Sequence, residues 1–304
     1  MFAAFLTTIL FSISAICANR SARMIGGTEA NFWRVTSATI FLALWAYTFG
    51  QGLAGDSFPL FLISGIIGVG ADVFLFQALP GLGSRLTLLL VQCFSALFAV
   101  LIDWLWRGTK LTVPQLLCSA TILAGVALAL APGKHLNLTR RQLVFGIFFS
   151  LLAALGNGFG AVLSSKAFDV AKAAGQNIDA ATAGYQRVIG GLFVAGISLL
   201  VVKRREIKKR FAGVEEPQIS LLEKLRPVWP WVLMNSLAGQ TIGIVFFQWA
   251  LKTTPSGLVL AIVAITPLVV IPFACFFEGE KIGRRSIAGG LLAVLGAIAL
   301  IKFR

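Results

Sequence analysis

Apolar residues run through the chain in blocks of about 20, separated by short polar or glycine- and proline-rich breaks. A membrane-crossing helix needs about 20 such residues to span roughly 30 Å of hydrocarbon. Ten blocks meet that length, at about 1–18, 30–49, 58–79, 84–104, 113–130, 141–163, 182–202, 228–250, 256–278 and 285–302. The breaks include "GQGLAGDS" (50–57), "PGLGS" (80–84), "APGKHLNLTRR" (131–141) and "TTPSG" (253–257), and Pro and Gly in such places end helices. The blocks are too long and too little alternating for barrel strands. Within lipid every backbone polar group must be satisfied inside its own segment, which a helix does. The pattern predicts an all-α integral membrane protein with ten transmembrane helices. The first block has no basic residue before it, and Arg20 and Arg23 follow it. It reads as a retained span, not a cleaved signal.

The blocks repeat. "ALPGLGSRLTLLLVQCFSALFAV" (78–100) aligns without a gap with "ALKTTPSGLVLAIVAITPLVVIP" (250–272), and "LLCSATILAGVALAL" (116–130) resembles "AGGLLAVLGAIALI" (288–301). "NFWRVTSATIFLALW" (31–45) and "GYQRVIGGLFVAGI" (184–197) each place an arginine, Arg34 or Arg187, early in the second helix of a half. The expected domains are a first five-helix repeat at 1–132, a linker at 133–139 and a second five-helix repeat at 140–304. Five is odd, so the second repeat must cross the membrane in the opposite sense. Inverted repeats of this kind build transporters whose substrate site lies between the halves near the midplane.

Ten spans, the second-helix arginines, the matched fourth and ninth helices and the glycine-bearing fifth and tenth ("LAGVALAL", "VLGAIALI") resemble the drug/metabolite transporter superfamily, in its EamA-domain group. The resemblance covers essentially the whole chain. It implies secondary transport of small metabolites, often export of amino acids or related compounds. The family's Pro-plus-Glu pattern, in the helix before each half's last, is present in the second half as Pro267, Glu278 and Glu280. The first half departs from it, with Ser95 at the Pro267 position and "DWLWRG" (103–108) at the acidic end.

Composition agrees with the span pattern. Hydrophobic residues make up 58% of the 304 and charged residues only 12%, against about a quarter charged in a soluble domain. The net charge of +14 would suggest nucleic acid in a soluble protein, but here the basic residues lie between apolar blocks and fit contact with anionic lipid. The odd-numbered connections hold 17 Lys and Arg, the even-numbered connections and two ends hold 7, and Arg34 and Arg187 complete the 26. The positive-inside rule then predicts both termini outside, whereas the family resemblance implies termini inside. Cys17, Cys93, Cys118 and Cys275 lie in apolar blocks without metal-ligand spacing and read as small buried hydrophobes. His135, beside Lys134, reads as a solvated loop residue. No Walker, Rossmann or His-Glu-x-x-His pattern occurs. The expectation is a non-enzyme without metal, cofactor or nucleic-acid partner.

Charge within lipid is costly and usually faces a cavity or a partner. Asp72, Arg34 and Arg187 are therefore the leading candidates for substrate binding or coupling. Asp72, in "GVGADVFLFQAL", is the deepest carboxylate and suits proton coupling or a substrate amine. The bland alternatives are snorkelling for the arginines and an interhelical bond for Asp72. Asp103, at a span end, reads as interfacial. Gln77, Gln92, Asn157, Gln240 and Gln248 offer amides to a polar solute, with helix–helix bonding as their alternative. Trp33 and Tyr185 suit either an aromatic cavity or an interfacial belt. "GNGFG" (156–160) and "GQTIG" (239–243) permit close helix approach.

The expected activity is alternating-access transport of a small polar or amphipathic metabolite across the cytoplasmic (inner) membrane, by a monomer with lipid around it. A lipid-linked substrate flippase is the rival reading within the same fold. A membrane-embedded lipid-modifying enzyme is the rival from another class.

Overall fold

The computed structural model describes residues 1–53, 55–130, 139–211, 226–270 and 284–302. Among the described residues ten α-helices follow in order: α1 Phe2–Ile25, α2 Gly27–Thr48, α3 Phe58–Arg107, α4 Val113–Leu130, α5 Arg140–Ala173, α6 Ala180–Phe211, α7 Trp229–Asn235, α8 Ile242–Thr253, α9 Ser256–Val263 and α10 Arg284–Lys302. A π-helical turn, Ser236–Thr241, joins α7 to α8. No strand occurs among the described residues. Among the described residues seven stretches are long and apolar enough to cross a membrane: Phe2–Ile25, Phe58–Leu75, Leu86–Arg107, Val113–Leu130, Arg140–Ala173, Ala180–Arg204 and Trp229–Thr253. Ser256–Val270 and Ile287–Leu300 are apolar but shorter. The expected span at 30–49 is helical as α2, yet Glu29 and Arg34 make it less apolar than the others.

Local chemistry sets the ends. Gly26, at φ 87, separates α1 from α2 in a conformation that a side chain would strain. Pro59 opens α3, and Gly108, at φ 67, closes it. Thr139 and Gln142 form a capping box on α5. α5 runs ten residues past the expected 163 because Lys166, Asp169 and Lys172 interrupt the apolar pattern without interrupting the helix.

α3 is helical throughout its 50 residues, yet it reverses direction. A Cβ added at Gly160 of α5 would lie 3.2 Å from the Ser64 carbonyl oxygen. One at Gly158 would lie 2.8 Å from that of Ser95. Ser64 and Ser95 would be roughly 45 Å apart on a straight helix, so the chain must turn back between them. Leu82, packed on Gly146 near the start of α5, marks the turn. The expected break at "PGLGS" is thus a change of direction and not a loss of helix.

Side-chain pairs orient the rest. Thr8 donates to Ile262 O at 3.2 Å and Ser12 to Thr266 O at 3.2 Å, so α1 and α9 run parallel. Lys203 pairs with Glu29 at 2.7 Å, while Gln51 N donates to Thr182 at 3.3 Å, so α2 and α6 are antiparallel. α4 and α10 are antiparallel, with Gly125 against Ala293 and Gly296 against Ile122. One end of the bundle gathers Arg20, Arg23, Arg140, Arg141, Lys203 and Arg204. The other gathers the N-terminus, Asp56, Asp103, Asp169 and Asp179. The main core joins α1, α2, α4, α6, α8, α9 and α10 through residues such as Val35, Ile122, Leu258, Ile262 and Leu300.

Asp103 lies one turn from the end of α3, and it is only 2% exposed. Its carboxylate accepts from the Ser256 backbone N–H at 3.0 Å and from the Ser256 hydroxyl, and it pairs with Arg107 at 2.8 Å. Arg107 also reaches Asp169 at 2.9 Å. Asp103 is drawn inward because the first turn of α9 presents donors that its own chain cannot satisfy. The network ties α3, α5 and α9 at the acidic end. The described cysteines Cys17, Cys93 and Cys118 are free. His135, Cys275, Glu278 and Glu280 lie outside the described residues.

Candidate functional site

Close backbone contact between α3 and α6 positions Arg187. A Cβ at Gly65 would lie 1.8 Å from the Arg187 carbonyl oxygen, and one at Gly190 would lie 2.1 Å from that of Leu62. Only glycine lets the two helices meet this closely. The Arg187 side chain then turns into the bundle. Its Nη1 donates to Ser64 Oγ, to Ser164 Oγ at 2.8 Å and to Gly160 O at 3.1 Å. Ser64 also donates to Gly160 O at 2.7 Å and lies 2.7 Å from Ser164. Gln248 Nε2 donates to Ser164 Oγ at 3.4 Å, and Gln248 Oε1 is buried without a partner. The Phe247 ring covers the guanidinium at 5.7 Å, a cation–π arrangement. Arg187 is therefore an interior group, and the snorkelling alternative does not describe it.

Asp72 lies one turn beyond Gly68 on α3. Its carboxylate is electrostatically coupled to Arg34 and to Arg187, and no hydrogen bond or ion pair reaches it among the described residues. Arg34 donates through Nη2 to Asn31 Oδ1 at 2.6 Å, while its Nε is buried without a partner. All three charged groups are partly exposed. Asp72 on α3 thus lies between Arg187, near the acidic-end start of α6, and Arg34, near the basic-end start of α2, and the three groups carry a formal charge of +1.

The other sequence candidates are distributed around this triad. Trp33, next to Arg34, packs edge-on against Trp229 at 6.1 Å. Tyr185 is buried against Tyr47 at 5.8 Å, further toward the acidic end. Gln240 lies in the π-helical turn, where Ser236 Oγ and Thr241 Oγ1 are buried without partners and Ser14 donates to Asn235 Oδ1 at 2.6 Å. Asn157 and Gln92 are half-buried on α5 and the second limb of α3, outside the hydrogen bonds of the triad. Gln77 is separated from the triad: it is exposed and lines a groove of about 250 Å³ with Arg141, Gln142, Phe145 and Phe149 at the basic end.

Sequence reasoning misses Ser64, Ser164 and Phe247. Lone serines in apolar helices were the available signal, since each must bond to something in lipid. Gly160 was legible as a packing residue, but its carbonyl as an acceptor for Arg187 was not.

A crystal structure of another protein superposes on the chain with a TM-score of 0.74 at 17% identity, over 99% of this chain and 98% of the other. No curated protein matches the chain. The model of the EamA-like transporter family matches residues 1–131 and again 144–302. The chain belongs to the EamA-like transporter family. As an EamA-like protein of the drug/metabolite transporter type, it is an integral membrane protein.

Proposed function

We propose that this EamA-like chain is a secondary active transporter that moves a small polar metabolite by alternating access between two inverted five-helix halves, 1–132 and 140–304. One observation carries the reading: Arg187 of the second half is bonded to Ser64 of the first. A polar, charged junction of two halves inside a bundle suits a site that each side of the membrane reaches in turn. Helix directions support the inversion: α1 enters from the acidic end, whereas α5 enters from the basic end.

Asp72 is the coupling residue in this scheme, and a proton or an exchanged solute provides the drive. The basic end faces the cytoplasm by the positive-inside rule, with the protein in the inner membrane. One chain holds both halves, so a monomer suffices. Export of amino acids or related compounds is the direction and class the family favours. The triad sits inside the bundle and not at one membrane face, which favours transport over lipid-modifying enzymology, and its charge favours a soluble polar cargo over a lipid-linked one.

The test is uptake of labelled amino acids and organic acids into proteoliposomes holding the opposing gradient. Saturable uptake that Arg187→Gln abolishes, with the protein still folded, supports the reading. Absence of uptake for every solute, with lipid scrambling instead, replaces it with the flippase.

A further inference from the structure

The transporter reading leaves the charge of the cargo open, and the triad bears on it. Arg34, Asp72 and Arg187 set two guanidiniums against one carboxylate, an excess of one positive charge. Arg187 spends Nη1 on Ser64, Ser164 and Gly160, and one face on Phe247. Its Nη2 has no protein partner among the described residues and points toward Gly68. A Cβ at Gly68 would come within 2.7 Å of it. The missing side chain keeps that edge of the guanidinium open. Arg34 adds a buried, unpartnered Nε. Asp72 is coupled to both arginines without bonding to either. It neutralises part of the field while leaving donors unused.

Unused guanidinium donors in a low-dielectric interior are matched by a planar acid group, which can take two parallel N–H bonds. A neutral solute would leave the excess charge uncompensated, and a cation would double it. Resting on the transporter reading, we propose that the triad binds a small carboxylate-bearing solute of net charge −1. The carboxylate takes the open edge of Arg187, Arg34 adds positive charge on the other side of Asp72, and Asp72 is the resident counter-ion with which it competes. Asp72 is thus a positioning and competing group, not an ammonium ligand.

The experiment uses purified full-length protein, with thermal shift and calorimetric titration against glutamate and lactate (net −1), glutamine and glycerol (neutral), and lysine and putrescine (cationic). At least one monoanion should raise the unfolding temperature, as any ligand of the folded state must, and the cations should not. Arg187→Gln should weaken the monoanion at least tenfold where it folds. Arg34→Gln, whose one hydrogen bond among the described residues is to Asn31 on its own helix, should weaken it less, about threefold, through the lost positive charge. Asp72→Asn should tighten the monoanion about threefold or more, because the competing charge is gone.

Selective stabilisation by lysine or putrescine, binding that Asp72→Asn abolishes, or no shift with either monoanion would each overturn the proposal. The same panel in proteoliposomes separates it from the transporter reading. Transport of a neutral or cationic solute alone sinks the charge assignment and keeps the transporter. Binding of glutamate or lactate with no transport of any solute does the reverse.

Discussion

Single side chains in this protein act mainly through bonds that cross between helices. Ser164 is the clearest case, since Arg187 and Gln248 both donate to its hydroxyl. Ser164→Ala should lower stability by about 1 kcal/mol, the scale of an interhelical hydrogen bond in a membrane, with a larger fractional loss of transport because Arg187 loses an anchor. Unfolding in mild detergent and proteoliposome uptake check the two parts. Asp103 should be more sensitive. Asp103→Ala leaves Arg107 with Asp169 alone and strips the first turn of α9 of its acceptor. A loss of about 2–3 kcal/mol follows from unpairing a buried, charged hydrogen-bond network. An unchanged unfolding midpoint would show that α9 does not depend on this cap. Asp72 and the two arginines were legible as residues because charge is rare in apolar blocks. That Arg187 faces inward was not, because its position near a span end is equally compatible with headgroups.

At the scale of elements, glycine contacts decide which helices touch. At Gly125 an added Cβ would meet Ala293 N at 2.5 Å and Gly289 O at 2.6 Å, both backbone atoms that cannot step aside. Gly125→Ala should therefore push α4 from α10 and cost about 1–3 kcal/mol, the usual range for overpacking. Gly290→Ala, with nothing within 4 Å, should leave the midpoint unchanged. Equal effects of the two substitutions would mean that helix propensity, not the α4–α10 contact, governs this region. The π-helical turn Ser236–Thr241 belongs at this scale as well. "GQTIG" announces close approach, and Gly239 and Gly243 do sit against Ser14 and Phe11. The widened turn itself, with its unpartnered hydroxyls, has no sequence signature.

The whole molecule sorts its charge by end. Arg20, Arg23, Arg140, Arg141, Lys203 and Arg204 gather at one end of the bundle, and Asp56, Asp103, Asp169 and Asp179 at the other, where Arg107, Lys110, Lys172 and Lys252 accompany them. With the basic end in the cytoplasm, a cysteine placed at exposed Lys110 should react with a membrane-impermeant maleimide in intact cells. One at exposed Arg141 should react only after lysis, both in a background lacking the four native cysteines. The opposite pattern would place the termini inside.

Sequence alone determined the class of structure and the number of apolar blocks, because lipid imposes one length and one hydrogen-bonding solution on every span. It also offered the matching segments 78–100 and 250–272, on which the expected repeat rests. Tertiary structure alone decided that α3 turns without leaving the helix, that Asp103 is buried, and that Gln77 stands apart from the triad. It also brought Ser64, Ser164 and Arg187 together from three different helices. Those outcomes depend on which helix faces meet, and a face is chosen by contacts between residues far apart in the chain, which no local pattern records.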